Sequence, residues 1–400
     1  MLINYILIIT ILISITVSIN ILHISDIHLD MEYAVNSAAN CFIGDNLGTR
    51  CCHTNNIPVE PKRYANKWGD YNCDTPKLFL NETLKFISSH FDIDMILWTG
   101  DTAGHHVLTQ TYSENFEAIE LATKLLKEYF PKSIIIPSIG NHDTYPINQF
   151  PPPYWNRIYL NKFYSYWKNL VPINKIFLYG GYYSIDYNTT KIININTLYY
   201  ETTNFMINRN QDNANQIKWL ISELEEAKIT NKKVWLIGHI PPTNREATKF
   251  FKDNMKQIML KYCDIIVYQF FGHTHKDELV VYKDSGCVGF IMSSIEPDQH
   301  QSSFRIYYTN NNLDIIDYTQ YIINLNETIT NNRIIAYPYY SARKDYNFNK
   351  LDNKELYKMV YNMYDDYELF NKFYNHYHVN STYDNCDDNC RKVFLDSMIL

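Results

Sequence analysis

Five short apolar runs each lead into a turn that carries metal-ligand side chains. They are Ile21-Leu22-His23-Ile24, Met95-Ile96-Leu97-Trp98, Ile134-Ile135-Ile136, Val234-Trp235-Leu236-Ile237 and Ile265-Ile266-Val267-Tyr268. Runs of this kind read as buried strands, and in folds built on parallel strands ligands gather just beyond the strands' carboxyl ends. The turns read Asp26-Ile27-His28, Gly100-Asp101, Gly140-Asn141-His142-Asp143, Gly238-His239 and Gly272-His273-Thr274-His275. A single histidine of this set is more often a core or loop residue than a ligand. Five such signals at five strand ends are not a chance pattern. Together Asp26, His28, Asp101, Asn141, His239, His273 and His275 supply a carboxylate to bridge two cations and imidazoles to complete each shell. The chemistry implied is metal-dependent hydrolysis of a phosphate ester.

The chain has 400 residues, which suggests one large domain with an appendage. Its 46% hydrophobic and 20% charged residues are ordinary for a globular protein, and a net charge of −7 argues against a nucleic-acid polymer as partner. Tyrosine is abundant, at 35 residues, and is read as compositional bias.

An apolar run from Tyr5 to Ile13 is followed by Ser14, Thr16 and Ser18, so residues 1–18 are expected to be a signal peptide. The run lacks the usual preceding Lys or Arg. No second apolar stretch of spanning length follows, and the mature protein is expected to be secreted, without a transmembrane anchor, or held in the endolysosomal lumen. Clustered cysteines, Cys41, Cys51, Cys52 and Cys73 early and Cys386 and Cys390 late, favour disulfides over zinc binding, because no C-x-x-C pair is matched by a second. Asn81, Asn188, Asn326 and Asn380 open glycosylation sequons.

Residues 29–76 show little periodicity and are expected to form a disulfide-stapled excursion. Helical patterns over about 77–90, 112–129, 155–169, 212–228 and 246–261 alternate with the strand runs. From about 278 to 323 four strand-like runs follow one another. The order predicts an α/β sandwich of two sheets flanked by helices. From residue 330 onward the chain is Tyr-rich and expected to be helical, with Leu356, Met359, Val360 and Met363 forming a stripe that docks on the main domain. The expected domains are a catalytic one over 19–329 and a small helical subdomain over 330–400.

At these motifs the chain resembles the calcineurin-like metallophosphoesterases, whose pattern of D-x-H, GD, GNH[DE], GH and G-H-x-H is met in full. Longer strings narrow the resemblance to the acid sphingomyelinase family: residues 140–153, Asn196-Thr197-Leu198-Tyr199-Tyr200, Gly238-His239-Ile240-Pro241-Pro242 and residues 269–275. Purple acid phosphatases carry a metal-binding Tyr where this chain has Gly104, and phosphoprotein phosphatases an Arg after the GD motif. A His four residues after Asp101, His105, resembles the sphingomyelinase group. No saposin domain is expected before the catalytic domain, and Tyr200 and Arg245 stand where acid sphingomyelinase keeps a disulfide. The chain therefore also resembles the sphingomyelinase-like phosphodiesterases, a branch associated with nucleotide-type substrates.

The resemblance implies two mixed sheets and two Zn2+ per chain, with Asp26, His28 and His275 on one ion, Asn141, His239 and His273 on the other, and Asp101 bridging. Manganese or iron suits similar ligands. Water made acidic by the pair is the expected nucleophile, in a two-metal hydroxide mechanism. His142 is expected to protonate the leaving group, with an ordinary imidazole pKa near 6.5 and Asp143 orienting it; His105 is the second candidate, and the neighbouring His106 its surface companion. The resemblance also implies disulfides Cys41–Cys51, Cys52–Cys73 and Cys386–Cys390, leaving Cys263 and Cys287 either paired or as buried thiols. A sphingomyelin-type phospholipid, cleaved to ceramide and phosphocholine, is the leading substrate. Nucleotide or pyrophosphate-type diesters come second, and an inactive secreted binding glycoprotein third. A monomer is expected.

Overall fold

The computed structural model describes residues 19–42, 50–105, 110–243, 245–297 and 299–400; the expected signal peptide and His106 lie outside the described residues. Its strands are, in chain order, β1 (Ile19–Ile24), β2 (Leu29–Asp30), β3 (Thr75–Pro76), β4 (Met95–Trp98), β5 (Ile134–Pro137), β6 (Tyr183–Tyr187), β7 (Thr190–Asn194), β8 (Lys233–Ile237), β9 (Ile266–Phe271), β10 (Glu278–Val281), β11 (Val288–Ile291), β12 (Ser302–Thr309), β13 (Ile315–Ile323) and β14 (Ala336–Ser341). Two six-stranded sheets form, in the orders β14-β13-β12-β1-β4-β5 and β10-β11-β9-β8-β7-β6. Both are mixed. β1, β4 and β5 run parallel in the first, and β7, β8, β9 and β11 in the second, with antiparallel neighbours outside them.

The central strands are almost wholly apolar because both of their faces are covered. The sheets meet through aromatic rings: Phe270 on β9 lies 5.4 Å from Tyr307 on β12, and Phe290 on β11 lies 5.7 Å from Tyr318 on β13. Helices cover the outer faces, at Lys77–His90, Tyr112–Tyr129, Gln216–Ile229 and Lys249–Tyr262. Their starts are written into the sequence. Pro76 precedes the first, Thr111 and Glu114 make a reciprocal capping box on the second, and Thr248 caps the fourth.

The excursion after β1 is closed by a short parallel pairing of β2 with β3 and stapled by Cys41–Cys51 and Cys52–Cys73. Cys386–Cys390 is also a disulfide, and Cys263 and Cys287 are paired rather than free. Of the sequon asparagines, Asn188, Asn326 and Asn380 are exposed; Asn81 is half-buried and accepts a hydrogen bond from the Tyr129 hydroxyl.

Two strand regions depart from expectation. The β6–β7 hairpin was not anticipated, and the chain beyond residue 330 is not wholly helical. There Ala336–Ser341 joins the first sheet as its edge strand. Pro338 is compatible with an edge, where an N–H is not needed on the outer side, and the register shifts beside it. The helices that follow are helical as expected, with Asp352 and Asp366 as caps. Leu356, Met359, Val360 and Met363 are all buried, and Asn353 ties the first of these helices to β11 through a 2.9 Å bond from the Val288 N–H.

Candidate metal centre

The parallel strands bring the five turns to one edge of the sandwich. β1 ends before Asp26, β4 before Asp101, β5 before Asn141, β8 before His239 and β9 before His273. The turns are stitched to each other by backbone bonds: Asp26 N–H to Gly100 O at 3.0 Å, His28 N–H to Asp101 O at 3.1 Å, and Gly272 N–H to His239 O at 2.9 Å.

The close approach explains the motif glycines. A Cβ on Gly140 would lie 2.1 Å from both the backbone nitrogen and Oδ1 of Asp101, and one on Gly272 would lie 2.0 Å from Ser25 Oγ. The backbone is also forced into the left-handed region at Asp26 (φ 50°), His28 (φ 44°), Asp101 (φ 52°), His273 (φ 76°) and His275 (φ 58°). Non-glycine residues rarely adopt it, and such strain concentrates where side chains must be aimed.

All seven expected ligands converge. His239 Nε2 lies 3.1 Å from Asp101 Oδ2 and 2.9 Å from Asn141 Oδ1, and His273 Nδ1 is 2.9 Å from the same Asn141 oxygen. On the other side of Asp101, His28 Nε2 stands 3.8 Å from its Oδ2 and 3.0 Å from His275 Nε2, and His275 Nε2 is 3.5 Å from Asp26 Oδ1. Asp101 thus lies between two groups of donors. His142 is near too, its donor atom within 4.8 Å of those of His28 and Asp101.

Each of the four imidazoles has a polar group facing its far nitrogen. His28 Nδ1 faces the Ala103 carbonyl at 3.0 Å, His239 Nδ1 the Thr99 carbonyl at 2.7 Å, His273 Nε2 the Glu246 carboxylate at 2.9 Å and His275 Nδ1 Glu296 at 3.4 Å. Metal-binding histidines are oriented in this way. Burial, reinforced by the charge of His105, holds the pKa of His28 and His275 well below the usual imidazole value, so both present neutral donor nitrogens, as coordination requires. Burial alone would raise Asp101, but the charge of His239 and the hydrogen bond from it outweigh burial and keep the carboxylate well below its ordinary range. The donor set therefore fits two divalent cations.

The two candidate proton donors stand beside this set. His105 stacks on His28 with ring centroids 3.9 Å apart and lies 4.4 Å from the ring of His142. Its Nδ1 is 2.8 Å from Asp74 Oδ1 and its backbone N–H donates to Asp74 Oδ2 at 2.5 Å. Burial disfavours a charged His105, yet Glu296 and Asp74 prevail and raise its pKa to about 10. Burial and then the charge of His105 press His142 down to about 3. The expected ordinary imidazole pKa for His142 thus does not hold: burial and the charge of His105 lower it, while Glu296 and Asp74 favour a protonated His105. Asp143 does not orient His142 either. Its carboxylate accepts backbone N–H bonds from Gly140 at 2.8 Å and Thr102 at 2.7 Å, and so clamps two turns together, while His142 Nδ1 is buried without a hydrogen-bond partner.

Three residues of this region were not foreseen. Glu296 lies five residues beyond β11, just past the reach of the strand-end rule that located the other acids. Asp74 lies in the aperiodic excursion and Glu246 just before a helix, where no periodic signal marks them.

The calcineurin-like phosphoesterase family model matches residues 19–277. Sphingomyelin phosphodiesterase B of Dictyostelium discoideum is 30% identical over 91% of this chain and 60% of its own length. Sphingomyelinase phosphodiesterase C of the same organism is 28% identical over 98% of this chain and 94% of its own. Cyclic GMP-AMP phosphodiesterase SMPDL3A of Homo sapiens is 26% identical, over 84% and 78%. The chain spans about three fifths of the length of the first of these relatives. The family match takes in every residue from Asp26 to His275 that converges on Asp101, and the chain belongs to the calcineurin-like phosphoesterase family, among its acid sphingomyelinase-like members.

Proposed function

We propose that this chain is a zinc-dependent phosphodiesterase that hydrolyses a sphingomyelin-type phospholipid to ceramide and phosphocholine. The observation that carries the reading is the division of pre-oriented donors around Asp101. One ion would be held by Asp26, His28 and His275, the other by Asn141, His239 and His273, with Asp101 shared. Two such cations acidify water and neutralise phosphate charge, which supplies a nucleophile at neutral pH and an electrophilic phosphorus.

The chain's own groups do the remainder. His105 holds a proton beside the site and is kept in place by Asp74, so it is assigned the protonation of the leaving alkoxide. His142 stays neutral and is assigned to the phosphate, its backbone N–H fixing Asp101 through a 2.8 Å bond to Oδ1. Residues 1–18 are assigned as an export leader, 19–329 as the catalytic domain and 330–400 as a C-terminal subdomain. The disulfides and the exposed Asn188, Asn326 and Asn380 accord with a secreted or endolysosomal setting. Among the described residues no helix is long and apolar enough to cross a membrane.

A nucleotide diester is the second reading, favoured by the likeness to a cyclic GMP-AMP phosphodiesterase over most of both chains. Purified protein loaded with zinc and given detergent-dispersed sphingomyelin, ATP and a cyclic dinucleotide in parallel decides between them. Phosphocholine release at a kcat/KM well above the nucleotide values is expected. The reverse order would transfer the assignment to nucleotides.

A further inference from the structure

Two loops at the rim of the metal centre expose large apolar side chains. Trp155 is 69% exposed and Tyr154 66% on one, Phe205 75% and Met206 50% on the other. The loops are tied to each other: the Phe205 N–H donates to Gln149 Oε1 at 3.0 Å, Asn204 Nδ2 to the Phe150 carbonyl at 2.8 Å, and Asn148 Nδ2 to Thr203 Oγ1 at 2.7 Å. Both lead directly to the site. Asn148 N–H bonds the carbonyl of Asn141, and Thr202 N–H bonds the carbonyl of Glu246, whose side chain holds His273. Pro151, Pro152 and Pro153 stiffen the first loop, so its exposed aromatics are presented with little further loss of chain entropy.

Within the two loop segments the charged side chains are basic, with Glu201 and Asp212 flanking the second. The chain carries a net −7, yet no acidic residue falls between Asp143 and Asp186, where Arg157, Lys162, Lys168 and Lys175 lie. From 202 to 211 the one charged residue is Arg209. Each loop places an arginine on its exposed ring: the Arg157 guanidinium is 5.0 Å from the centre of Tyr154, and that of Arg209 5.0 Å from Phe205. Exposed apolar patches mark interaction surfaces. Aromatic side chains with guanidinium groups beside them suit the headgroup layer of a bilayer, where rings sit at the interface and cations meet lipid phosphate.

We infer that the Tyr154–Trp155 and Phe205–Met206 loops form a docking surface for an anionic phospholipid bilayer, which sets the metal centre against the membrane that holds its substrate. The inference rests on the lipid reading of the site and adds the means by which the catalytic domain itself reaches a lipid still in its bilayer.

The test is co-sedimentation of the full, zinc-loaded chain with phosphatidylcholine vesicles, with and without phosphatidylserine. Binding is expected to need phosphatidylserine. Trp155→Ser with Phe205→Ser should weaken it by roughly tenfold or more, and Arg157→Gln with Arg209→Gln should abolish the phosphatidylserine dependence. Turnover of soluble bis-p-nitrophenyl phosphate should be unchanged in both double variants, which shows the fold and site intact. Equal vesicle binding by wild type and the Ser variant overturns the inference. So does a wild-type dimer that the Ser variant dissociates, because the patch would then be a contact between copies of the chain. Turnover of detergent-dispersed sphingomyelin without vesicle binding overturns the docking surface and leaves the lipid reading standing. Vesicle binding lost in the Ser variant, with no sphingomyelin turnover in any form, supports the surface and removes the lipid reading.

Discussion

The carboxylate of Glu246 stands 2.9 Å from Nε2 of His273 and thereby leaves Nδ1 of that ring facing Asn141. Carboxylates in this position fix the ring and raise its basicity as a ligand. Glu246→Ala should lower zinc affinity by about 10–100-fold while leaving the fold intact. Chelator competition monitored alongside circular dichroism checks it; unchanged affinity would show that the Glu246 contact is incidental.

Gly140 is expected to tolerate no side chain. The Cβ of Gly140→Ala would fall 2.1 Å from the Asp101 backbone nitrogen, an atom no rotamer change can move aside. Separating the two turns would displace Asp101 from both donor groups. Bound metal and thermal midpoint should fall together; a variant with full metal content and the wild-type midpoint would contradict the packing described.

Proton donation can be separated from phosphate binding by the leaving group. His105→Ala, and to a smaller degree Asp74→Asn, should slow hydrolysis of an alkyl phosphodiester by about 10²–10⁴-fold, the usual loss for a general acid. A p-nitrophenyl diester, whose leaving group barely needs a proton, should show much less. His142→Ala should slow both substrates alike. If His142→Ala showed the leaving-group dependence and His105→Ala did not, the two roles would be exchanged.

Most of this site was legible because its candidate ligands are local. Each sits two to four residues beyond a short apolar strand, so the strand pattern and the ligand pattern reinforce each other, and all seven residues from Asp26 to His275 meet in space. The helices over 77–90 and 112–129 were equally plain, since their periodicity, the Pro before the first and the capping box of the second are written in adjacent residues. What escaped depends on distant partners. Ala336–Ser341 becomes a strand because β13 offers it an edge, which no local period announces. Asp143 has the sequence of a partner for its neighbour His142, but the folded chain gives its carboxylate the N–H groups of Gly140 and Thr102 instead. The unequal proton affinities of His105 and His142 arise from Asp74 and Glu296, brought in from far along the chain.

Acid should weaken the C-terminal packing through His376. This ring stacks on Tyr340 at 3.8 Å, and its Nδ1 meets the Tyr346 hydroxyl at 2.7 Å. Burial first, then the charges of Lys372 and Arg305, hold its pKa down to about 3. In the unfolded chain the value returns to about 6.5, so between those two pH values the unfolded state binds a proton that the folded state refuses. The contribution of His376 to stability is full above about pH 6.5 and falls by up to about 1.4 kcal/mol per pH unit below it. His376→Phe should flatten the fall in urea midpoint between neutral pH and the mildly acidic range. An unaltered slope would mean that His376 titrates normally in the folded protein.

The central claim is that two cations share Asp101, and its most direct measurement is the metal content and turnover of Asp101→Asn, taken on the same preparation. The wild-type chain should hold two zinc ions. The variant, with a neutral side chain where His239 and His28 converge on a carboxylate, should retain fewer and lose more activity than any other single ligand change. Two ions retained with near-normal turnover would contradict the shared-carboxylate site and the hydrolysis assigned to it.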